Sequence, residues 1–415
     1  MKRVSLPLIA SAFTAALLFA AAAEPVSGQE RHSLWSKTMY FDYGGEFAAA
    51  APTSDGGAVL AGSGTSPGAA EIKPYRYDMH DALVVKIAPD GSTEWQTLMG
   101  GSSLDYALAV AQASDGGYLV GGLTRSEDGD FPGRPNGVDV PWVAKLTGEG
   151  KKIWARTLLG TSAEQSWVKA VGELPGGGIV AVGQGNGFVT GEGCMPKPGV
   201  AFWRLSDDGF AVTLNCPELD VDLTSWEQGA AVLPDGGAVA GFGYGGSFGV
   251  VRLNPDGGAA WKADTGKGII RAFAPAPDGG VYGGGESPDG KPRIFSFGRD
   301  GNSLFDVSYL GVPWGSVFAL SPHEDGFFAV GKASGTAAGG LDMVIVKGNS
   351  KGETLWAVTA GGSGDDVGLS AATLRDGSFI AGGSTYSWDG FLVNRKKKPG
   401  TPHEGDDAWA VKFNK

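Results

Sequence analysis

Residues 105–122 read DYALAVAQASDGGYLVGG. Large apolar residues alternate with alanine over 106–111 and suit a strand, the run after the turn suits a second strand, and the glycine following Asp115 supplies the positive φ of a tight hairpin. The phrase then returns along the chain. Asp55-Gly56-Gly57, Asp235-Gly236-Gly237 and Asp278-Gly279-Gly280 precede similar apolar runs, Pro175-Gly176-Gly177-Gly178 is a variant, and Asp325-Gly326 and Asp376-Gly377 complete the series. Measured between Asp55, Asp115, Gly176, Asp235, Asp278, Asp325 and Asp376, the spacings are 60, 61, 59, 43, 47 and 51 residues.

Each unit carries further order. A third segment such as 81–86 (DALVVK) or 342–347 (DMVIVK) is followed by a second turn at Asp90, Asp208, Asp256 or Asp300, then by an aromatic anchor: Trp35, Trp95, Trp154, Trp261, Trp356 or Phe305. Four short antiparallel strands per unit, repeated seven times at this period, predict an all-β, seven-bladed β-propeller. The ends fit a closed ring. Trp35 begins with an isolated fourth-type strand and residues 407–413 (DAWAVKF) end with a third-type strand, so the two are expected to share the last blade and hide its edges. The Trp anchors are expected to wedge between neighbouring blades.

The units resemble the Asp-Gly-Gly-rich repeats of secreted and cell-surface bacterial β-propellers, over residues 34–415. Such repeats serve unrelated functions, so the resemblance implies a fold and transfers no catalytic set.

Composition excludes other classes. With 71 Gly in 415 residues but no three-residue period, and 42% hydrophobic residues, the chain is neither collagen-like nor a disordered tract. A formal charge of -12 opposes binding to nucleic acid or anionic lipid. Residues 1–23 combine Met1-Lys2-Arg3 with an apolar run ending Ala21-Ala22-Ala23, the pattern of a signal peptide cleaved between 23 and 28. A secreted or periplasmic single domain over 29–415 is expected, with no later segment long enough to span a bilayer.

Strand order assigns the faces. Asp-Gly turns occupy one face, and the opposite face receives the expansions at 66–80, 125–137, 184–198 and 395–405. Long loops on a regular scaffold are where binding chemistry accumulates. Counting nine residues back from the first turn reaches Tyr106, Trp167 and Trp226, and eleven back from Asp325 reaches Trp314; Asp105 and Asp366 lie nearby. Aromatics that stack and carboxylates that accept hydrogen bonds make these six the candidate ligand-binding residues. Structural gap-filling is the competing reading for each aromatic.

Asp128 and Asp130 offer oxygen ligands for Ca2+ in a loop that lacks the full EF-hand pattern, and a solvated acidic loop is the competing reading. The four His are scattered without zinc spacing, and no nucleophile elbow or P-loop occurs in a suitable context. In an oxidising compartment Cys194 and Cys216 are expected to form a structural disulfide. The functional expectation is a binding or interaction module for an extracellular glycan, small molecule or protein on the long-loop face. An extracellular glycan hydrolase or lyase using carboxylates, and a purely structural scaffold engaging a protein through its short-turn face, stand as alternatives.

Overall fold

The computed structural model describes residues 33–41, 44–65, 80–131, 138–158, 166–185, 199–217, 219, 229–244, 247–308, 310–311, 314–334, 340–390 and 406–414. Their strands form seven four-stranded antiparallel sheets. Six blades follow in chain order at 45–99, 105–157, 166–215, 230–266, 269–308 and 314–360; the seventh comprises 366–413 with Ser33–Met39 as its outer strand. The first strand of each blade is innermost and packs on the first strands of its neighbours, and Asp366–Thr373 meets Gly45–Pro52 to close the circle. The chain is therefore a seven-bladed β-propeller.

The hairpin phrase folds as its residues dictate. In blade two the Ala113 amide donates to the Gly117 carbonyl at 2.9 Å and the Gly116 amide returns to Ala113 at 3.0 Å. Gly116 sits at φ +85°, and the Gly117 amide donates to Asp115 Oδ1 at 2.9 Å. That is a type I turn with a left-handed residue behind it, capped by the aspartate. The other carboxylate oxygen braces the third strand: Asp115 meets Lys145 at 2.6 Å and Asp55 meets Lys86 at 2.8 Å. Blade three has glycine where the aspartate would stand, and Asp207 from the neighbouring turn accepts the Gly178 amide at 3.0 Å instead. Blade six departs further, pairing His323 with Gly326 across a two-residue loop.

Aromatic residues join blade to blade. The indole N–H groups of Trp95, Trp154 and Trp261 donate to the carbonyls of Gly148, Asp207 and Arg299, each in the third-to-fourth turn of the next blade. Trp142, Trp203 and Trp409, on third strands, are fully buried. The ring closes as the terminal segments suggest: Trp35 pairs with Lys412 and Met39 with Ala408, while the Trp409 indole donates to Ser36 Oγ at 2.8 Å. Among the described residues, no helix is long and apolar enough to cross a membrane.

Candidate functional site

Six first strands break register at the same place. Pairing with the second strand skips one residue between Phe47 and Ala49, Ala107 and Ala109, Val168 and Ala170, Ile270 and Ala272, Val317 and Ala319, and Gly368 and Ser370. The skipped residues are Ala48, Leu108, Lys169, Arg271, Phe318 and Leu369. A bulge adds one residue to the strand and re-aims its side chain, and all six residues line an axial cavity of about 460 Å³. In blade four the corresponding position is Gln228, which lies outside the described residues. The backbone device repeats while the side chains it presents do not.

Charge in this cavity is unevenly placed. Lys169 and Arg271 line it from blades three and five, and Glu46 enters from blade one. Arg271 is oriented twice, its Nε donating to Ser316 Oγ at 2.9 Å and its guanidinium lying 4.7 Å over the Phe318 ring. Burial pushes the Glu46 carboxyl up to about 7, Asp406 pushes it in the same direction, and Lys169 draws it back. Asp406 is itself raised by burial. Tyr106 is pushed up to about 12, mainly by burial and then by Glu46. Perturbed carboxyls beside a cavity mark a functional candidate on physical grounds.

Of the residues singled out from sequence, Tyr106 is half-buried beside this group, its ring 6.0 Å from His80. Trp167 is buried, with the Lys169 ammonium 5.9 Å from its ring centroid. The backbone of Trp314 opens blade six opposite Ser334. Trp226 lies outside the described residues, as do residues 66–79, 132–137, 186–198 and 395–405 of the expanded loops. Glu46 occupies in blade one the position that Tyr106 and Trp167 hold in theirs, nine residues before the turn. Lys169 and Arg271 were reachable by counting seven.

Asp105 and Asp366 are 0% exposed and hold the connections between blades. Asp105 Oδ2 accepts from the Gly101 amide at 3.0 Å and Ser126 Oγ at 2.8 Å; Asp366 Oδ2 accepts from the Gly362 amide at 2.9 Å and Ser387 Oγ at 2.6 Å. Burial raises both carboxyls, Asp105 to about 6, against the pull of those hydrogen bonds. The parallel extends outward. Asp128 accepts the Ser102 amide at 2.6 Å in one blade and Asp389 accepts the Ser363 amide at 2.7 Å in the other. Asp130 accepts the Gly100 amide at 3.0 Å and pairs with Lys152. These oxygens meet amides and an ammonium, and no group of three or more metal-ligating His, Cys, Asp or Glu occurs among the described residues. Cys216 packs on the core between blades two and three, and Cys194 lies outside the described residues.

Ser63 Oγ stands 3.2 Å from His80 Nδ1. Ser63 is buried at 1% exposure. The opposite mouth of the ring, among the Asp-Gly turns, holds a second cavity of about 660 Å³. Pro234, Pro275, Pro277 and Pro322 line it, with Arg299 and Arg375.

No protein-family model matches the chain, and no curated protein does. Among solved structures, Kuenenia stuttgartiensis hydrazine synthase is similar at 10% identity and a TM-score of 0.51, covering 83% of this chain and 94% of that one. Sqt1 from Chaetomium thermophilum aligns at 12% identity and a TM-score of 0.45, covering 90% of this chain and 87% of that one. The first likeness concerns the fold alone, and the second carries no argument.

Proposed function

We propose that this protein is an exported binding module, secreted or periplasmic after loss of residues 1–23, that receives its ligand at the long-loop mouth of the ring. The ring of bulged residues carries the reading: one backbone irregularity, repeated in six described first strands, turns chemically different side chains toward one axial cavity. Glu46, Tyr106 and Trp167 supply the polar and aromatic contacts around that mouth. The disulfide between Cys194 and Cys216 would fasten the blade-three loop beside it.

A screen of soluble glycans and small molecules, followed by hydrogen-exchange mapping of any hit, tests the reading. Protection at the starts of the strands Gly45–Pro52, Asp105–Gln112 and Ser166–Glu173 is the expected result. Protection confined to the Asp-Gly turns would overturn the choice of face. Product analysis on a bound polymer reads out the hydrolase or lyase alternative. A second reading, docking of a protein at the short-turn face, is favoured by the proline-lined cavity there.

A further inference from the structure

We infer that the short-turn mouth of the ring is a second binding site, which takes an extended segment of a partner protein carrying an aromatic side chain beside an acidic one. This site stands apart from the axial one at the long-loop mouth and gives the docking reading of this face its partner.

The short-turn mouth is stitched on one side and open on the other, and all seven first-to-second turns are described. In blade one the Ser54 amide donates to Gln112 Oε1 of blade two at 2.7 Å, and in blade two the Ser114 amide donates to Glu173 Oε2 of blade three at 2.8 Å. The donor stands one residue before the turn Asp, and the acceptor stands three residues before the corresponding position of the next blade. Counted the same way, the junction of blades four and five has Pro234 and Pro275 at these two positions, and the junction of blades five and six has Pro277 and Pro322. Proline has no N–H to donate and no side-chain acceptor, so neither stitch can form. All four prolines line the cavity of about 660 Å³ instead.

That wall is apolar and stiff. Leu233 and Leu374 extend it, and the proline rings hold their shape before any partner arrives. An aromatic side chain buries a large area against such a wall at little cost in side-chain entropy.

The rim presents cations. Of the acids lining the cavity, Asp235 pairs with Arg252, Asp376 meets Lys412 at 3.6 Å, and Glu324 is engaged within the fold. Arg299 and Arg375 are exposed, and among the described residues neither guanidinium is in an ion pair. Arg299 reaches inward from its turn, its Cδ 3.8 Å from where a β carbon on Gly279 would stand. A planar guanidinium holds a carboxylate edge or stacks on an aromatic ring. The cavity spans the turns of four consecutive blades, from Leu233 in blade four to Gly377 in blade seven. A small molecule is held by enclosure, whereas a cleft crossing short turns suits a chain that lays successive side chains along it.

Selection of random heptapeptides displayed on phage against the intact mature chain, followed by calorimetry with the tightest selected peptide, tests this. Enriched peptides are expected to combine Phe, Tyr or Trp with Asp or Glu. In the tightest one, replacing the acids by their amides, or the aromatic residue by alanine, is each expected to weaken binding about tenfold or more, and salt to weaken it further. Arg299→Ser and Arg375→Ser are expected to do the same with melting curves unchanged. Pro277→Ser combined with Pro322→Gln places the Ser54 and Gln112 residue types at the cavity and is expected to abolish binding; should that variant fail to fold, the arginine variants decide. No enrichment, enrichment of basic or purely polar peptides, or unchanged affinity in the folded variants would overturn the inference. A wild-type dimer that is lost in Arg375→Ser would make a second copy of the chain the occupant and overturn it as well. The glycan and small-molecule screen reads the long-loop mouth, so either site can fail without the other.

Discussion

The Trp95 ring covers Gly150 so closely that a β carbon on the glycine would lie 2.4 Å from Cε3. Trp95 belongs to the outer strand of blade one and Gly150 to the third-to-fourth turn of blade two, so this contact joins one blade to the next. The arrangement recurs: Trp35 covers Gly91, Trp154 covers Gly209, Trp261 covers Gly301 and Phe305 covers Gly352. In blade seven the third and fourth strands come from the two chain ends, and the Trp356 indole packs near Phe328 and Phe379.

Gly150→Ala should therefore cost more than a backbone effect. Gly150 sits at φ +79° and Gly116 at φ +85°, but a β carbon at Gly116 meets nothing within 4 Å. Gly116→Ala is expected to lose about 1 kcal/mol from the left-handed conformation alone, and Gly150→Ala about 2 to 4 kcal/mol because the indole must also move. Urea unfolding of the two variants compares them directly. Equal losses would show that the ring contact carries no weight.

Closure offers a second check. Removing residues 1–39 takes away the strand Ser33–Met39 and exposes the edge of Asp407–Phe413, including the fully buried Trp409. An unpaired apolar edge invites association, so the shortened chain should aggregate in a concentration-dependent way and lose its cooperative melt. Ser36→Ala is the mild version, removing the hydroxyl that accepts from the Trp409 indole at an expected cost of about 1 kcal/mol. A monomeric shortened chain with the full-length melting temperature would contradict the closure.

Asp105 is expected to matter for folding whichever ligand is found. Asp105→Ala strands the Gly101 amide and the buried Ser126 hydroxyl, for about 2 to 4 kcal/mol in total. Asp128→Ala, whose partner amide at Ser102 is exposed to water, should cost under about 1 kcal/mol. Thermal melts give the ordering, and faster hydrogen exchange at Gly101 in the first variant locates the effect. A reversed order would mean that the buried carboxylate is not what pins this connection.

Fold and site were unequally legible in the sequence, for a physical reason. Asp-Gly turns and alternating strands are local, so the hairpin around Asp115 reveals itself in a few residues, and repetition then gives the ring. The complementary strands around Trp35 and Trp409 gave the closure. Side-chain direction along the inner strand obeys a period of two only until an extra residue intervenes. Counting nine back from Asp115 or Gly176 reaches Tyr106 and Trp167, on the far side of the bulge. Leu108 and Lys169, seven back, are the residues the bulge turns to the axis. Nothing local marks the bulge; it is visible only in the register between strands. Asp105 and Asp366 looked like free acceptors for a similar reason, since their hydrogen-bond partners Ser126 and Ser387 lie 21 residues away in sequence.

The last prediction concerns pH. The Glu46 carboxyl titrates near 7 in the folded ring against an ordinary value of 4.5, raised first by burial and then by Asp406, and drawn down by Lys169. Tyr106 also faces it, neutral throughout the range because its hydroxyl is pushed up to about 12, and His80 acts on Asp406 from behind. A raised acid keeps its proton in the folded state after the unfolded chain has lost it. Stability from this group is therefore full below about 4.5 and declines as pH rises toward 7, where ionisation inside the cavity is complete soon after. Glu46→Gln removes the titration. The variant should match the wild type near pH 4 and exceed it at pH 8 by up to about 3 kcal/mol, reduced in proportion to the water that enters the cavity. Asp105 and Asp366 titrate in both proteins and cancel in the difference, while Asp406, coupled to Glu46, adds to it. Urea unfolding of both proteins at pH 4, 6 and 8 measures the effect. A stability difference that stays constant across this range would show that Glu46 is hydrated and not held within the apolar cavity.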